Sequence, residues 1–533
     1  MTAENLHRVA DLNDLRDRGR MLVRPGGRQI ALFAQDDTVL ACNNRCPHEG
    51  YPLIEGSLAD SAPDGRPACV LTCNWHNWKF DLDGGANLTG GDRLRTYPVH
   101  LKDGEVWLDL TDPPAEARIA DAMAALRDSF PRHEYDRIAR ELRRLQQAGG
   151  DPLEAVRAAI EWTHDRFEFG ATHAQATAAD WLMLHDEVAE SDVERLAVVS
   201  ECMGHFAWDS RREPVYAFPT GRAPFDPAAL TAAIGAEDEE AAVAQVRGAY
   251  ADGLTYADLR PALARAALAH YQDFGHAAIY VVKTGDLIDR LGPAVALPAT
   301  LSLVRQLVNA FREDLIPEFR HYAAALEAWD GAGRETPEIA DFTGASINKA
   351  LDLAVARSAD IDGLYRALLG AAAWNMLHFD MTVMQATAGP VSRNVGWLDL
   401  THAITFANAV RRLCTADPAL WPQGLLQMAC FVGRNAGYTD TQLDIAAWQV
   451  AAPEAFATEM RRRVLDHGLF EYIVACHWVK TTCAVHEEIA RDPQMSAAPL
   501  LAAALNRFVN SPFKRKHTLR TASQAIAFVD AGG

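Results

Sequence analysis

Up to about residue 112, apolar positions come in short runs. Met21–Val23, Ile30–Phe33, Thr38–Ala41, Cys69–Thr72 and Val106–Leu110 alternate with turn signals at Pro25–Gly27, Asp64–Gly65, Asp83–Gly85, Gly90–Gly91 and Asp103–Gly104. Short β-prone runs between such turns predict a small antiparallel β domain. Thr111-Asp112-Pro113-Pro114 breaks the pattern and marks a boundary. Beyond it, apolar residues recur every three or four positions through 118–147, 152–166, 174–208, 255–285, 301–328, 346–382, 397–414, 455–491, 496–509 and 520–530, which predicts helices. Asp151, Ser191 and Asp399 stand where caps belong. The polar, Pro-containing stretch Asp209–Asp226 reads as a surface loop. The expected organisation is multidomain: a small all-β domain over 1–112, then a large all-α domain over 113–533.

Length and composition fit this picture. A chain of 533 residues, 49% hydrophobic and 23% charged, has room for two or more globular domains. A net charge of −20 with no long basic run disfavours nucleic acid and anionic membranes and suits a partner with a basic docking face. The first residues lack the basic start and apolar core of a signal peptide, and no run approaches the roughly 18 apolar residues of a membrane span. Nine cysteines, an odd number, imply no disulfide framework, so a reducing cytoplasm is expected.

The chemistry begins with Cys46-Pro47-His48 and Cys73-Asn74-Trp75-His76, a C-x-H … C-x-x-H pattern. In this pairing two thiolates hold one iron of a [2Fe–2S] cluster and two imidazoles hold the other, raising its potential above that of an all-thiolate cluster. The alternative is a zinc site of two Cys and two His, although zinc fingers use C-x-x-C pairs and His pairs about three to five residues apart rather than mixed ones.

The segments CPHEGYPLIEG, LTCNWHNWKFDLDGG and LRTYPVHLKDGEVWLDL resemble the Rieske ferredoxin-type domain. The likeness extends to Gly50, Pro52 and Gly56 after the first pair, and to Phe80-Asp81-Leu82, Gly84 and Gly85 after the second. It implies a [2Fe–2S] cluster on Cys46, His48, Cys73 and His76. The 24 residues between His48 and Cys73 exceed the family's usual spacing, which points to a surface insertion at Ala59–Pro67. The extra cysteine pair of respiratory-type members is absent, so Cys42 and Cys69 are expected as buried thiols. Trp75, Trp78 and Phe80 are expected to shield the cluster.

A Rieske cluster moves electrons, so its purpose lies with its neighbour. Ring-hydroxylating members carry D-x-x-H with a second His four or five residues on. Neither Asp273-x-x-His276 nor Asp399-x-x-His402 continues that way, and Glu161-x-x-His164 is followed only by the more distant His173. Asp273, His276, Tyr280 and Lys283 fall on one face of a single predicted helix, and Asp399 with His402 echoes the first half of that pattern. Carboxylate and His at i, i+3 on separate helices is how di-iron bundles present ligands, with Glu201 a candidate further donor. His477 and Lys480 share a face of another helix. The competing readings are hydrogen-bonded core histidines and, for Asp399, a helix cap. The helical part resembles questin-oxidase-like helical proteins around His276 and His402, without a motif that transfers residues.

The expected function is that of an oxygen-dependent oxidoreductase, a mono- or dioxygenase. An NAD(P)H-dependent reductase or a ferredoxin would supply electrons to the Rieske cluster. A mono- or di-iron non-haem centre on His276, His402 and His477, with Asp273 and Asp399 as ligands or orienters, would act on a small organic substrate with Tyr280, Lys283 and Lys480 as catalytic groups. The alternatives are an electron carrier or redox sensor whose helical domain binds a partner or ligand without catalysis, and a metal-independent oxygenase with His and Lys as bases.

Overall fold

The computed structural model describes residues 5–65, 67–514 and 516–531. The described residues form two compact units. One runs to Ser129 and resumes over Glu134–Asp151; the other comprises Phe130–His133 and everything from Pro152 onward.

The first unit opens with β1 (Leu6–Asp11), β2 (Arg20–Val23), β3 (Ile30–Gln35), β4 (Thr38–Asn43), β5 (Ser57–Ser61), β6 (Pro67–Thr72), β7 (Lys79–Asp81), β8 (Val99–Lys102) and β9 (Glu105–Asp109). They build three antiparallel sheets, β1-β9-β8, β2-β3-β4 and β5-β6-β7. Alternation sends β3 residues to two cores. Ile30 and Leu32 pack with Val106 and Leu108, while Ala31 and Phe33 pack with Leu53, Leu71 and Phe80. The Asp103–Gly104 turn between β8 and β9 takes the left-handed conformation at both residues, as a two-residue hairpin requires. The long spacer after His48 is absorbed by the β5–β6 hairpin, in which Leu58 lies opposite Leu71 and Ala59 opposite Val70.

Two helices, Ala115–Ser129 and Tyr135–Gln147, follow β9. Asp92, whose side chain is fully buried, accepts from Arg140 at 2.7 Å and Arg144 at 2.5 Å, which ties the second helix to the β domain. A carboxylate buried this deeply needs both guanidiniums to remain charged.

The second unit is helical. Its centre is formed by four helices, His173–Glu187, His276–Leu291, Trp397–Ala416 and Tyr472–Arg491. The first packs on the second and fourth, and the third does the same, closing a ring. Their sequences are apolar nearly all round, as helices enclosed by others must be. Several long predicted helices are in fact pairs. The stretch 174–208 is His173–Glu187 and Asp192–Ser210, the latter started by a Ser191–Glu194 capping box. The stretch 255–285 is Tyr256–Leu268 and His276–Leu291. Both halves share the three-to-four spacing, so periodicity alone does not mark the break. Among the described residues no helix is long and apolar enough to cross a membrane.

Candidate functional site

Two fingers of the β domain carry the paired Cys and His residues. In the first, the Cys46 N–H donates to the Tyr51 carbonyl and Gly50 N–H returns to the Cys46 carbonyl at 2.8 Å. In the second, Cys73 N–H donates to the Trp78 carbonyl and Asn77 N–H returns to Cys73 at 2.9 Å. Each finger turns on a left-handed residue four positions after its cysteine, Gly50 or Asn77. The repeated turn brings His48 and His76 together, their Nδ1 atoms 3.1 Å apart. Cys46 and Cys73 lie buried behind them. Burial pushes the Cys46 thiol up to about 11, and the neighbouring Cys73 sulfur adds to the shift. Two thiols side by side in an apolar layer become thiolates only with a cation to hold them.

Trp78 stacks on His48 at 4.4 Å between centroids, and Phe80 is buried, so both cover the site. Trp75 is 62% exposed, stacked over Tyr51 and edge-on to His76 with centroids 5.6 Å apart, so it flanks one ligand from the solvent side. Cys42 is buried, Cys69 partly so, and all nine cysteines are free.

Residues 5–98 match the Rieske [2Fe–2S] domain model. The 3-phenylpropionate/cinnamic acid dioxygenase ferredoxin subunit of Escherichia coli K12 is 35% identical over 85 residues, which are 16% of this chain and 74% of that protein. The chain belongs to the Rieske [2Fe–2S] family. The ferredoxin component of the alkene monooxygenase system of Xanthobacter autotrophicus is 28% identical over 20% of this chain and 84% of its own length. The 4beta-methylsterol monooxygenase of Methylococcus capsulatus is 35% identical over 17% of this chain, and the matched region spans 26% of that relative. These likenesses cover the Rieske domain and stop short of the helical unit. The Rieske domain binds a [2Fe–2S] cluster, and its two buried sulfurs and two adjacent imidazoles fit that group.

The second constellation lies at the centre of the helical ring, where each of the four helices contributes one histidine. His402 Nε2 is 2.9 Å from His276 Nε2 and 3.3 Å from His477 Nε2, and His276 Nε2 is 3.2 Å from His173 Nε2. The opposite ring nitrogens are anchored. His276 Nδ1–H donates to the Asp273 carbonyl at 2.7 Å, His402 Nδ1–H to the Leu398 carbonyl at 2.6 Å and His477 Nδ1–H to the Ile473 carbonyl at 2.6 Å. His173 Nδ1 meets the Tyr280 hydroxyl at 3.3 Å. A carbonyl only accepts, so these bonds fix the Nδ1–H tautomer of His276, His402 and His477 and leave their Nε2 lone pairs bare, whereas the Tyr280 hydroxyl can donate or accept and leaves His173 free to present either tautomer. Bare lone pairs about 3 Å apart repel one another unless a cation lies between them. A histidine oriented from behind, with its free nitrogen aimed at a shared point, is the pattern of a metal ligand. Burial drives the pKa values of His173, His402 and His477 well down, so these rings stay neutral, as ligation requires.

His276, His402 and His477 therefore meet, and with them His173, which spacing alone passes over because its partners lie on other helices. The remaining candidates scatter around this centre. Asp273 is not on the helical face with His276. It sits in a preceding turn where Asp273, Phe274 and Gly275 all take positive φ, and its carboxylate accepts from Gln306 at 2.6 Å, 3.8 Å from His276 Nδ1. Asp399 gives one carboxylate oxygen to its own helix start, the Gly396 N–H, and the other to Arg434 at 3.0 Å. Glu201 pairs with His467 at 3.1 Å. Lys283 pairs with the buried Asp180 at 2.7 Å, which holds the ammonium charged. Lys480 is buried one turn after His477, and its Nζ has no hydrogen-bond partner among the described residues.

Proposed function

We propose that this chain is an oxygen-dependent oxidoreductase. Electrons delivered to the Rieske cluster, held by Cys46, His48, Cys73 and His76, would be used at a non-haem iron bound by His173, His276, His402 and His477. A reductase driven by NAD(P)H, or a ferredoxin, is the electron source this reading requires. The observation that carries it is the run of four neighbouring Nε2 atoms, three of them on rings whose Nδ1–H is anchored to a backbone carbonyl. Imidazole donors suit zinc, copper, nickel and iron alike. Iron is preferred because a one-electron cluster in the same chain has no use for redox-inert zinc.

Iron held here would supply oxygen activation. The protein's part is to hold and orient. The carbonyls of Asp273, Leu398 and Ile473 fix three rings and Tyr280 the fourth. Lys480 is a proton-exchanging group beside the site, and Asp273 orients His276. A cavity of about 580 Å³ reaches His173, His276 and Tyr280, room for a small organic substrate.

Metal analysis tests the reading. The full chain is expected to hold about three irons, two of them in the cluster, and His402→Ala is expected to retain about two with the Rieske spectrum unchanged. About two irons in both proteins, with no other metal bound, would remove the second centre and leave an electron carrier.

A further inference from the structure

The cavity that reaches the histidine cluster has a floor and a rim of different character. Its floor holds His173, His276, Tyr280, Asp209, Asp273 and Gln306, none of them exposed. Its rim holds Glu168, Phe169, Glu213 and Phe311, all exposed. Phe169 is 64% and Phe311 49% accessible, so two bare aromatic rings stand at one opening.

The charges lean one way. Glu168, Asp209, Glu213 and Asp273 face Arg166 as the sole Arg or Lys in the lining, and Arg166 donates to the Glu213 backbone carbonyl at 2.9 Å. Among the described residues no Lys or Arg forms an ion pair with any of the four carboxylates. Asp209 accepts from the Thr172 hydroxyl at 2.6 Å and lies 3.5 Å from His205. Asp273 accepts from Gln306, and Glu213 from the Tyr216 hydroxyl at 3.1 Å. A divalent metal on four neutral imidazoles would add two positive charges at the floor, which Asp209 and Asp273 are placed to balance. Glu168 and Glu213 at the rim then exceed Arg166 by one negative charge. Gln306, 5% exposed, leaves its Oε1 buried without a hydrogen-bond partner among the described residues, a further acceptor in the wall.

We propose that this cavity selects a small organic cation, a protonated or quaternary amine, a reading that rests on the cavity serving the histidine site as its substrate pocket. Carboxylates attract the charge, and the faces of two phenylalanines hold a weakly hydrated ammonium as water does not. An anion of the same size meets a net negative opening and is rejected.

The test uses benzyltrimethylammonium and its uncharged carbon isostere, neopentylbenzene, titrated calorimetrically into the full metal-loaded chain. The cation is expected to bind at least about tenfold more tightly, an advantage that weakens with salt. Glu168→Gln with Glu213→Gln is expected to remove most of that advantage while isostere binding stays, and Phe169→Ala with Phe311→Ala to weaken both ligands. All four positions are exposed, so folding is expected to survive, and circular dichroism checks it. Equal binding of cation and isostere, or an advantage unchanged in the Gln pair, overturns the proposal. Iron content is read on the same samples. Full iron without cation preference sinks the substrate class alone, whereas cation preference without the additional iron sinks the metal reading and keeps the pocket.

Discussion

Among single residues, Lys480 most directly sets stability against function. It is 2% exposed, and its Nζ lacks a hydrogen-bond partner among the described residues. Burial pushes its pKa down, while Cys476 and Asp180 oppose the shift and Lys283 reinforces it. The other buried lysine, Lys283, is neutralised by Asp180 and needs no such shift. Replacing an uncompensated buried amine by an apolar chain of similar length relieves a burden of about 1–3 kcal/mol. Lys480→Met is therefore expected to stabilise the protein at neutral pH and to lower turnover. The sign with pH follows from linkage. The folded-state pKa lies below the unfolded value of about 10.4, so between the two the unfolded chain carries a proton that the folded chain lacks, and stability from this group rises with pH. Denaturant titrations at several pH values are expected to show that rise in the parent and a smaller one in Lys480→Met. A variant less stable at every pH would mean that the amine is engaged by a partner that holds it charged.

Between helices, the turn before His276 does the positioning. Three successive residues, Asp273, Phe274 and Gly275, have positive φ, two of them with side chains that disfavour it. Such strain persists only where the surroundings fix it, and it clusters at functional sites. Here it turns the Asp273 carbonyl onto His276 Nδ1. At Gly275, φ is +77°, and a Cβ would lie 2.5 Å from Phe406 Cδ2, on the helix that carries His402. Gly292, at the other end of the same helix, has φ +88° and open space around it. Gly275→Ala is expected to cost several kcal/mol, about 1–3 from strain and a similar amount from overpacking, and to lose the iron of the helical unit while keeping the cluster. Gly292→Ala is expected to show the strain alone with iron retained. Thermal melts and iron analysis separate the two. The same turn marks where legibility ended. The spacing of Asp273, His276, Tyr280 and Lys283 predicts one continuous face, because a left-handed break of three residues leaves the apolar period on either side intact. His173 escaped for a related reason: a ligand set drawn from four helices has no internal spacing, and its local signals are only the Thr172 cap and Gly170, where a Cβ would meet Gln306 N at 2.2 Å. The Rieske fingers were legible because each holds its ligands within one short turn, so geometry and sequence spacing coincide.

At the scale of the whole molecule, each unit has its own core. The Rieske unit buries two apolar clusters, one around Ile30, Leu32 and Val106 and one around Phe33, Leu71 and Phe80 beneath the cluster fingers. The helical unit buries large aromatic side chains of its own, with Phe406 against Phe431 and Trp397 against Phe379 and Phe508. Units with separate cores fold and fail separately. The His48→Ala/Cys73→Ala chain is accordingly expected to lose the cluster iron, about two per chain, and to lower one calorimetric transition while the other and the remaining iron stay in place. Because the cavity beside His173 and His276 and all four clustered histidines belong to the helical unit, this variant is also expected to bind a pocket ligand with unchanged affinity and to show no turnover driven through a reductase. Concerted loss of both transitions, or loss of all iron, would mean that the helical unit depends on the cluster for its fold, and the electron-relay reading would give way to one in which the Rieske domain stabilises its neighbour.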